Sequence, residues 1–175
     1  MGEVLCRTAF DTPLGTMIGV ASDRGLCGLE FEWPNRLAGL MARLRRWSPA
    51  CEVVDRRVPA LDTTGHWLAG YFSGSFSDTP PASLDLCGTE FERAVWHALL
   101  GIRTGTTTTY GEIARQLGRP KGARAVGLAV GANPIGLIVP CHRVIGQNGS
   151  LTGYGGGLDR KQWLLRHEGV LLPNQ

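Results

Sequence analysis

Lysine is almost absent from this 175-residue chain: it stands only at Lys121 and Lys161, against 16 arginines. Basic chemistry therefore rests on guanidinium groups, which stay charged at any working pH, and the bias suits a GC-rich genome. Long apolar runs are also missing, which excludes a membrane-spanning helix. The first residues have no basic flank leading into an apolar core, so no secretory leader is expected. Cys6, Cys27, Cys51, Cys87 and Cys141 are odd in number and widely scattered, and no Cys-x-x-Cys pair occurs. This argues against a disulfide framework or a zinc ribbon, and a reducing cytoplasm is the expected compartment. A metal held by Cys6 or Cys27 with His66 has no ligand spacing to support it.

The composition, 43% hydrophobic, is enough for one good core or two small ones. Charge is unevenly shared. Residues 1–86 carry eight basic and ten acidic side chains, whereas residues 87–175 carry ten basic and five acidic. The basic second half is a modest hint of a polyanionic partner, although on charge alone an ordinary solvated surface is the better reading.

Alternating residues around Asp11-Thr12-Pro13-Leu14-Gly15 predict strand, turn and strand, and Leu26, Leu29 and Phe31 a third strand. Helical spacing follows over 35–47, where Arg43-Leu44-Arg45-Arg46 reads as a solvated face, and from Asp62 to Gly74. Ser77-Asp78-Thr79-Pro80-Pro81-Ala82 is the candidate linker. The expected domains are thus 1–82, an α+β scaffold, and 83–175, mainly helical.

The second half is rich in capping signals. Thr89 with Glu92, and Thr109 with Glu112, form capping boxes; Asp159 with Gln162 reads as the start of another helix, with Trp163, Leu164 and Leu165 turned inward. A short helix closed by Gly118, a turn at Arg119-Pro120-Lys121-Gly122 and a helix from Ala123 to about Ala132 have helix-turn-helix spacing. That second helix is built from Ala123, Ala125, Gly127, Ala129 and Gly131. Such a slim surface either packs tightly on a neighbouring helix or approaches a nucleic-acid groove. Lys121 and Arg124 at its N-terminus favour the groove.

Pro140-Cys141-His142-Arg143-Val144 carries the most chemistry. The run Ile135, Leu137, Ile138 and Val139 predicts a buried strand that Pro140 ends, placing Cys141 at a strand exit. A cysteine is a strong nucleophile as thiolate, and adjacent imidazole and guanidinium groups favour that form. Most cysteines, by contrast, are buried and inert. On a strand, neighbouring side chains point to opposite faces, so His142 would need a turn or a bridging water to act on the thiol. Glu168 falls in a final helical turn, where an anion is disfavoured unless a cation or imidazole meets it; His142 is the candidate. Gly153-Tyr154-Gly155-Gly156-Gly157 is a loop whose backbone can approach a ligand closely.

Together these motifs resemble the O6-alkylguanine-DNA alkyltransferase family of direct-reversal repair proteins, bacterial type. The resemblance rests on Pro140–Val144, Asn133-Pro134, Ala123-Arg124-Ala125-Val126-Gly127, Tyr110-Gly111-Glu112-Ile113-Ala114, Tyr154–Leu158 and Trp163–Gly169. It implies an α+β fold, with a small RNase H-like domain followed by a helical domain that carries the helix-turn-helix. It implies that Cys141 accepts the alkyl group, that His142 acts as base through a water, and that Glu168 orients His142. Asn133 would tie the helix-turn-helix to the active-site strand, and Arg124 would fill the space of the flipped nucleotide. Tyr110 would rotate the target and meet the guanine edge. Tyr110, Val144, Tyr154, Gly155 and Gly156 would line the pocket, while Lys121, Ala123, Arg124, Ala125, Gly127 and Gly131 would meet DNA. The implied protein is a cofactor-free, metal-free monomer that binds alkylated duplex DNA and acts once, with O4-alkylthymine as a further substrate and cooperative binding on DNA open. Gly155 stands where some relatives have serine, implying a roomier pocket. The binding-only branch has tryptophan at the acceptor position, unlike Cys141. The rival classes are a helix-turn-helix regulator or damage-recognition protein without transfer activity, and a thiol hydrolase.

Overall fold

The computed structural model describes residues 2–171 and is mixed α+β. Two compact units form: one up to Gly88 together with Pro134–Gly136, the other Thr89–Asn133 together with the chain from Leu137 onward. The division falls at Gly88/Thr89, where the sequence reading placed it at 82/83.

In the first unit β1 (Val4–Phe10), β2 (Met17–Ser22) and β3 (Gly25–Phe31) form an antiparallel meander. Helix α1 (Pro34–Trp47) then returns the chain so that β4 (Glu52–Asp55), a strand absent from the sequence reading, pairs parallel with β1. The order is β3-β2-β1-β4. Alternation along β2 sends Ile18 and Val20 to a core shared with Leu5, Cys27, Leu40 and Leu44. A Cβ at Gly28 would lie 2.9 Å from Leu40, so its absence lets α1 sit close to the sheet. Helix α2 (Pro59–Phe72), like α1, opens with proline in its first turn, where a missing N–H costs nothing. Arg45 and Arg46 lie exposed in the last turn of α1, where the helix dipole favours cations.

The second unit holds α3 (Glu90–Leu100), α4 (Tyr110–Gln116), α5 (Ala123–Gly131), α6 (Leu158–His167) and a parallel two-residue pair, β5 (Thr108–Thr109) and β6 (Val144–Ile145). Both capping boxes form: Thr89 and Thr109 each accept from the backbone of Glu92 and Glu112, whose carboxylates reach back. Asp159 does not cap α6. Gly157 occupies that position with φ 90°, which leaves Asp159 inside the first turn. Trp163 is not inward either; it lies 37% exposed, stacked on His167 at 4.7 Å. Trp96, wholly buried, holds α3 to α5 by donating from Nε1 to the carbonyl of Ala129 at 2.8 Å.

Candidate active site and nucleic-acid interface

The chain approaching Cys141 is not a strand. Leu137 has φ 65°, the left-handed region, and is the one non-glycine residue there among the described residues. Such a backbone is strained by about 1–3 kcal/mol and breaks extension. Across Pro140, with φ −81° and ψ 64°, the N–H of Cys141 donates to the carbonyl of Val139 at 2.8 Å, an inverse γ-turn. Cys141–Arg143 then forms one 3₁₀ turn. An apolar run of this length cannot by itself distinguish a strand from buried turns.

The turn has a consequence for the site. A strand would send His142 and Arg143 to opposite faces, whereas here both reach the carboxylate of Glu168. His142 Nε2 lies 2.8 Å from Oε1, and Arg143 donates from Nε to Oε2 at 2.9 Å and from Nη2 to Oε1 at 3.1 Å. Arg143 is anchored further by Thr104 Oγ1 and the carbonyl of Ile102. Burial alone would raise the Glu168 carboxyl; the His142 and Arg143 bonds outweigh it and bring it down to about 2. Burial lowers the His142 imidazole despite Glu168, so the ring is neutral at pH 7. An ionised carboxylate can only accept, which places the proton on Nε2 and leaves Nδ1 with its lone pair. Nδ1 is buried and has no hydrogen-bond partner among the described residues.

Around this set, Cys141 is half-buried and Val144 fully buried. Asn133, at the end of α5, donates from Nδ2 to the carbonyl of Val139 at 2.8 Å. Tyr110 donates from its hydroxyl to the carbonyl of Thr152 at 3.2 Å, beside the loop of Tyr154, Gly155 and Gly156. The Tyr154 ring lies edge-on to His142, centroids 6.5 Å apart, and a Cβ at Gly156 would fall 2.6 Å from Tyr154. Lys161, which the motifs do not single out, is wholly buried and donates to the carbonyls of Thr152, at 2.8 Å, and Val144. Arg143 as a carboxylate clamp was also missed. Arg143 stood inside the Pro140–Val144 motif, whereas Lys161, flanked by Asp159, Arg160 and Gln162, gave no signal in the sequence.

Helices α4 and α5 form the helix-turn-helix. Gly118, φ 69°, closes α4 in a Schellman turn, with Arg119 N–H bonded to the Ala114 carbonyl and Gly118 N–H to that of Arg115. On α5, Arg124, Ala125, Leu128 and Gly131 are exposed and share one face; Leu128 is 73% exposed. Ala123 and Gly127, expected at that face, are half-buried, and a Cβ at Gly127 would touch the Tyr110 ring at 3.7 Å. Lys121 and Arg124 are exposed and carry no ion pair among the described residues. Gly122 caps α5 without a side chain, so the first amides of the helix stay available.

These features define a helix-turn-helix protein whose half-buried cysteine adjoins a buried imidazole, carboxylate and guanidinium. Residues 90–170 match the family described as 6-O-methylguanine DNA methyltransferase, DNA binding domain. The chain is 45% identical over 168 residues to the methylated-DNA–protein-cysteine methyltransferase of Mycobacterium leprae, covering 93% of this chain and 91% of that protein. Against the Salmonella typhimurium protein of that name identity is 58% over 105 residues, and the match spans only 61% of that relative. The crystal structure of Mycobacterium tuberculosis O6-methylguanine methyltransferase superposes with a TM-score of 0.75 at 40% identity, covering 94% of this chain and 92% of that one. The chain belongs to the methylated-DNA–protein-cysteine methyltransferase family.

Proposed function

We propose that this protein repairs DNA by moving an alkyl group from O6 of guanine in a duplex onto Cys141, once per molecule. The observation that carries this is the buried Nε2–Glu168 bond, which leaves Nδ1 of His142 as the basic nitrogen one residue from the thiol. The thiol proton passes through a water to His142. The thiolate then attacks the alkyl carbon in line, an S–C bond forms, the C–O6 bond breaks, and the electron pair leaves with guanine. Tyr110 donates a hydrogen bond to the departing ring as charge builds there, and the proton held by His142 ends on the base. The thioether is stable, so no second turnover occurs. Neither cofactor nor metal enters these steps.

The reactive carbon lies inside stacked DNA, so the nucleotide must swing out, at a cost of about a few kcal/mol. Arg124 at the exposed start of α5 fills the gap, while Lys121 and the available amides of α5 meet phosphates. A relative structure, that of M. tuberculosis OGT in complex with DNA, supports a DNA partner. Val144, Tyr154, Gly155 and Gly156 line the pocket, O4-alkylthymine is a secondary substrate, and the protein acts as a cytoplasmic monomer. The regulator alternative is disfavoured by the face of α5: apart from Arg124 it offers Ala125, Leu128 and Gly131, whose side chains have no hydrogen-bonding group to read bases. The test is stoichiometry. Incubated with excess duplex containing O6-methylguanine, the protein should repair one base per molecule and stop; continued turnover or no repair would refute the proposal.

A further inference from the structure

Lys161 is a buried ionisable group that the scheme above does not use. It is wholly buried, and among the described residues its ammonium meets two carbonyl oxygens, those of Val144 and Thr152, and no carboxylate. The buried charged groups of the second unit, His142, Arg143, Lys161 and Glu168, leave a surplus. Glu168 is compensated by Arg143, and His142 is neutral, which leaves one positive charge without an anion. A buried unpaired charge is expensive. Helix α6, which carries Lys161, packs on the turn Cys141–Arg143, and Nζ binds the carbonyl of the residue that follows that turn.

We infer that Lys161 is a positioning residue whose buried ammonium is the counter-charge of the Cys141 thiolate. Losing the Cys141 proton cancels the surplus, so the site is neutral overall when the nucleophile is ready and positive when it is not. Four ionisable groups lie on the elements around the sulfur: Lys161 on α6, Glu168 at the C-cap of that helix, and His142 and Arg143 in the turn that carries Cys141. Arg143 is committed to Glu168, which leaves Lys161 as the uncommitted cation. Burial lowers the Lys161 ammonium to about 8, and the charge of Cys141 is the influence that raises it; the group is therefore still a cation at neutral pH. The same Nζ shares the Thr152 carbonyl with the Tyr110 hydroxyl, so it also fixes the loop beside the pocket.

The role is an addition to the alkyl-transfer reading, and its test does not depend on that reading. Carbamidomethylation of Cys141 by iodoacetamide, followed across pH by mass mapping of its peptide, reads thiol ionisation whatever the biological donor. In the wild-type chain the midpoint should lie well below the ordinary thiol value of about 8.5. Lys161→Gln, which keeps donors but not charge, should move the midpoint up by about one unit or more and slow labelling at pH 6 roughly tenfold. Lys161→Arg should stay near the wild-type midpoint. A wild-type midpoint at or above about 8.5 overturns the inference even if no variant folds, as does a Gln variant with the wild-type profile. A loop-fixing role alone would change rates without moving the midpoint. Wild-type protein that labels as expected but leaves O6-methylguanine untouched would count against the repair proposal and not against this one.

Discussion

His142 and Glu168 share a 2.8 Å hydrogen bond between side chains with no exposure to solvent. Twenty-five residues of chain separate them, and Arg143 closes the same carboxylate from the other side. Replacing Glu168 by Gln removes the anion that both the Arg143 guanidinium and the His142 imidazole depend on. The variant should lose about 3–5 kcal/mol of stability, because Arg143 stays buried without a counter-charge. Alkyl transfer should fall on the order of 10²-fold or more, since nothing then fixes the His142 tautomer. Urea unfolding and single-turnover kinetics measure the two effects.

The acid limit of stability follows from the same carboxyl, which titrates at about 2 when folded against an ordinary value of 4.5. Between those values the unfolded chain binds the additional proton, so stability rises with pH there. The contribution is complete above pH 4.5 and is lost as pH falls toward 2. Unfolding free energies at pH 5 and pH 3 should differ less in Glu168→Gln than in the wild type.

Much of the fold was legible because short-range chemistry agreed with long-range packing. Thr89-x-x-Glu92 and Thr109-x-x-Glu112 announce α3 and α4, and Gly118 announces the left-handed stop. The segment 135–139 was not legible: its hydrophobicity records burial, while its shape depends on the left-handed Leu137 and on the bond from Gly136 N–H to the carbonyl of Leu29. Strand β4, Glu52–Asp55, is too short and too polar at its ends to show a pattern. Cys141, His142 and Glu168 stood out through motif chemistry, and Tyr110 through the family resemblance alone. Lys161 did not, because a lysine in an amphipathic helix reads as surface until the helix is seen packed.

Trp96 links core and interface. In Trp96→Phe the carbonyl of Ala129 loses its bond from Nε1 and keeps only that from Ala132 N–H, at a cost of about 0.5–1.5 kcal/mol. The melting temperature should fall, and duplex affinity with it, because α5 is no longer held to α3.

Arg124 and Leu128 share the exposed face of α5 but should fail differently. Arg124→Ala should slow repair in duplex DNA far more than reaction with isolated O6-benzylguanine, and flatten the salt dependence of binding by about one unit. Leu128→Ala should weaken duplex binding while leaving the salt slope unchanged, because it removes apolar contact and no charge. Fluorescence titrations at several salt concentrations separate the two.

The central claim concerns one sulfur atom. Protein mixed with duplex DNA containing O6-methylguanine, digested and examined by mass spectrometry, should carry a single added methyl group on the peptide containing Cys141, with none on Cys6, Cys27, Cys51 or Cys87. Cys141→Ala should bind the same duplex and gain nothing. An unmodified Cys141, or a methyl group on another residue, would contradict the account.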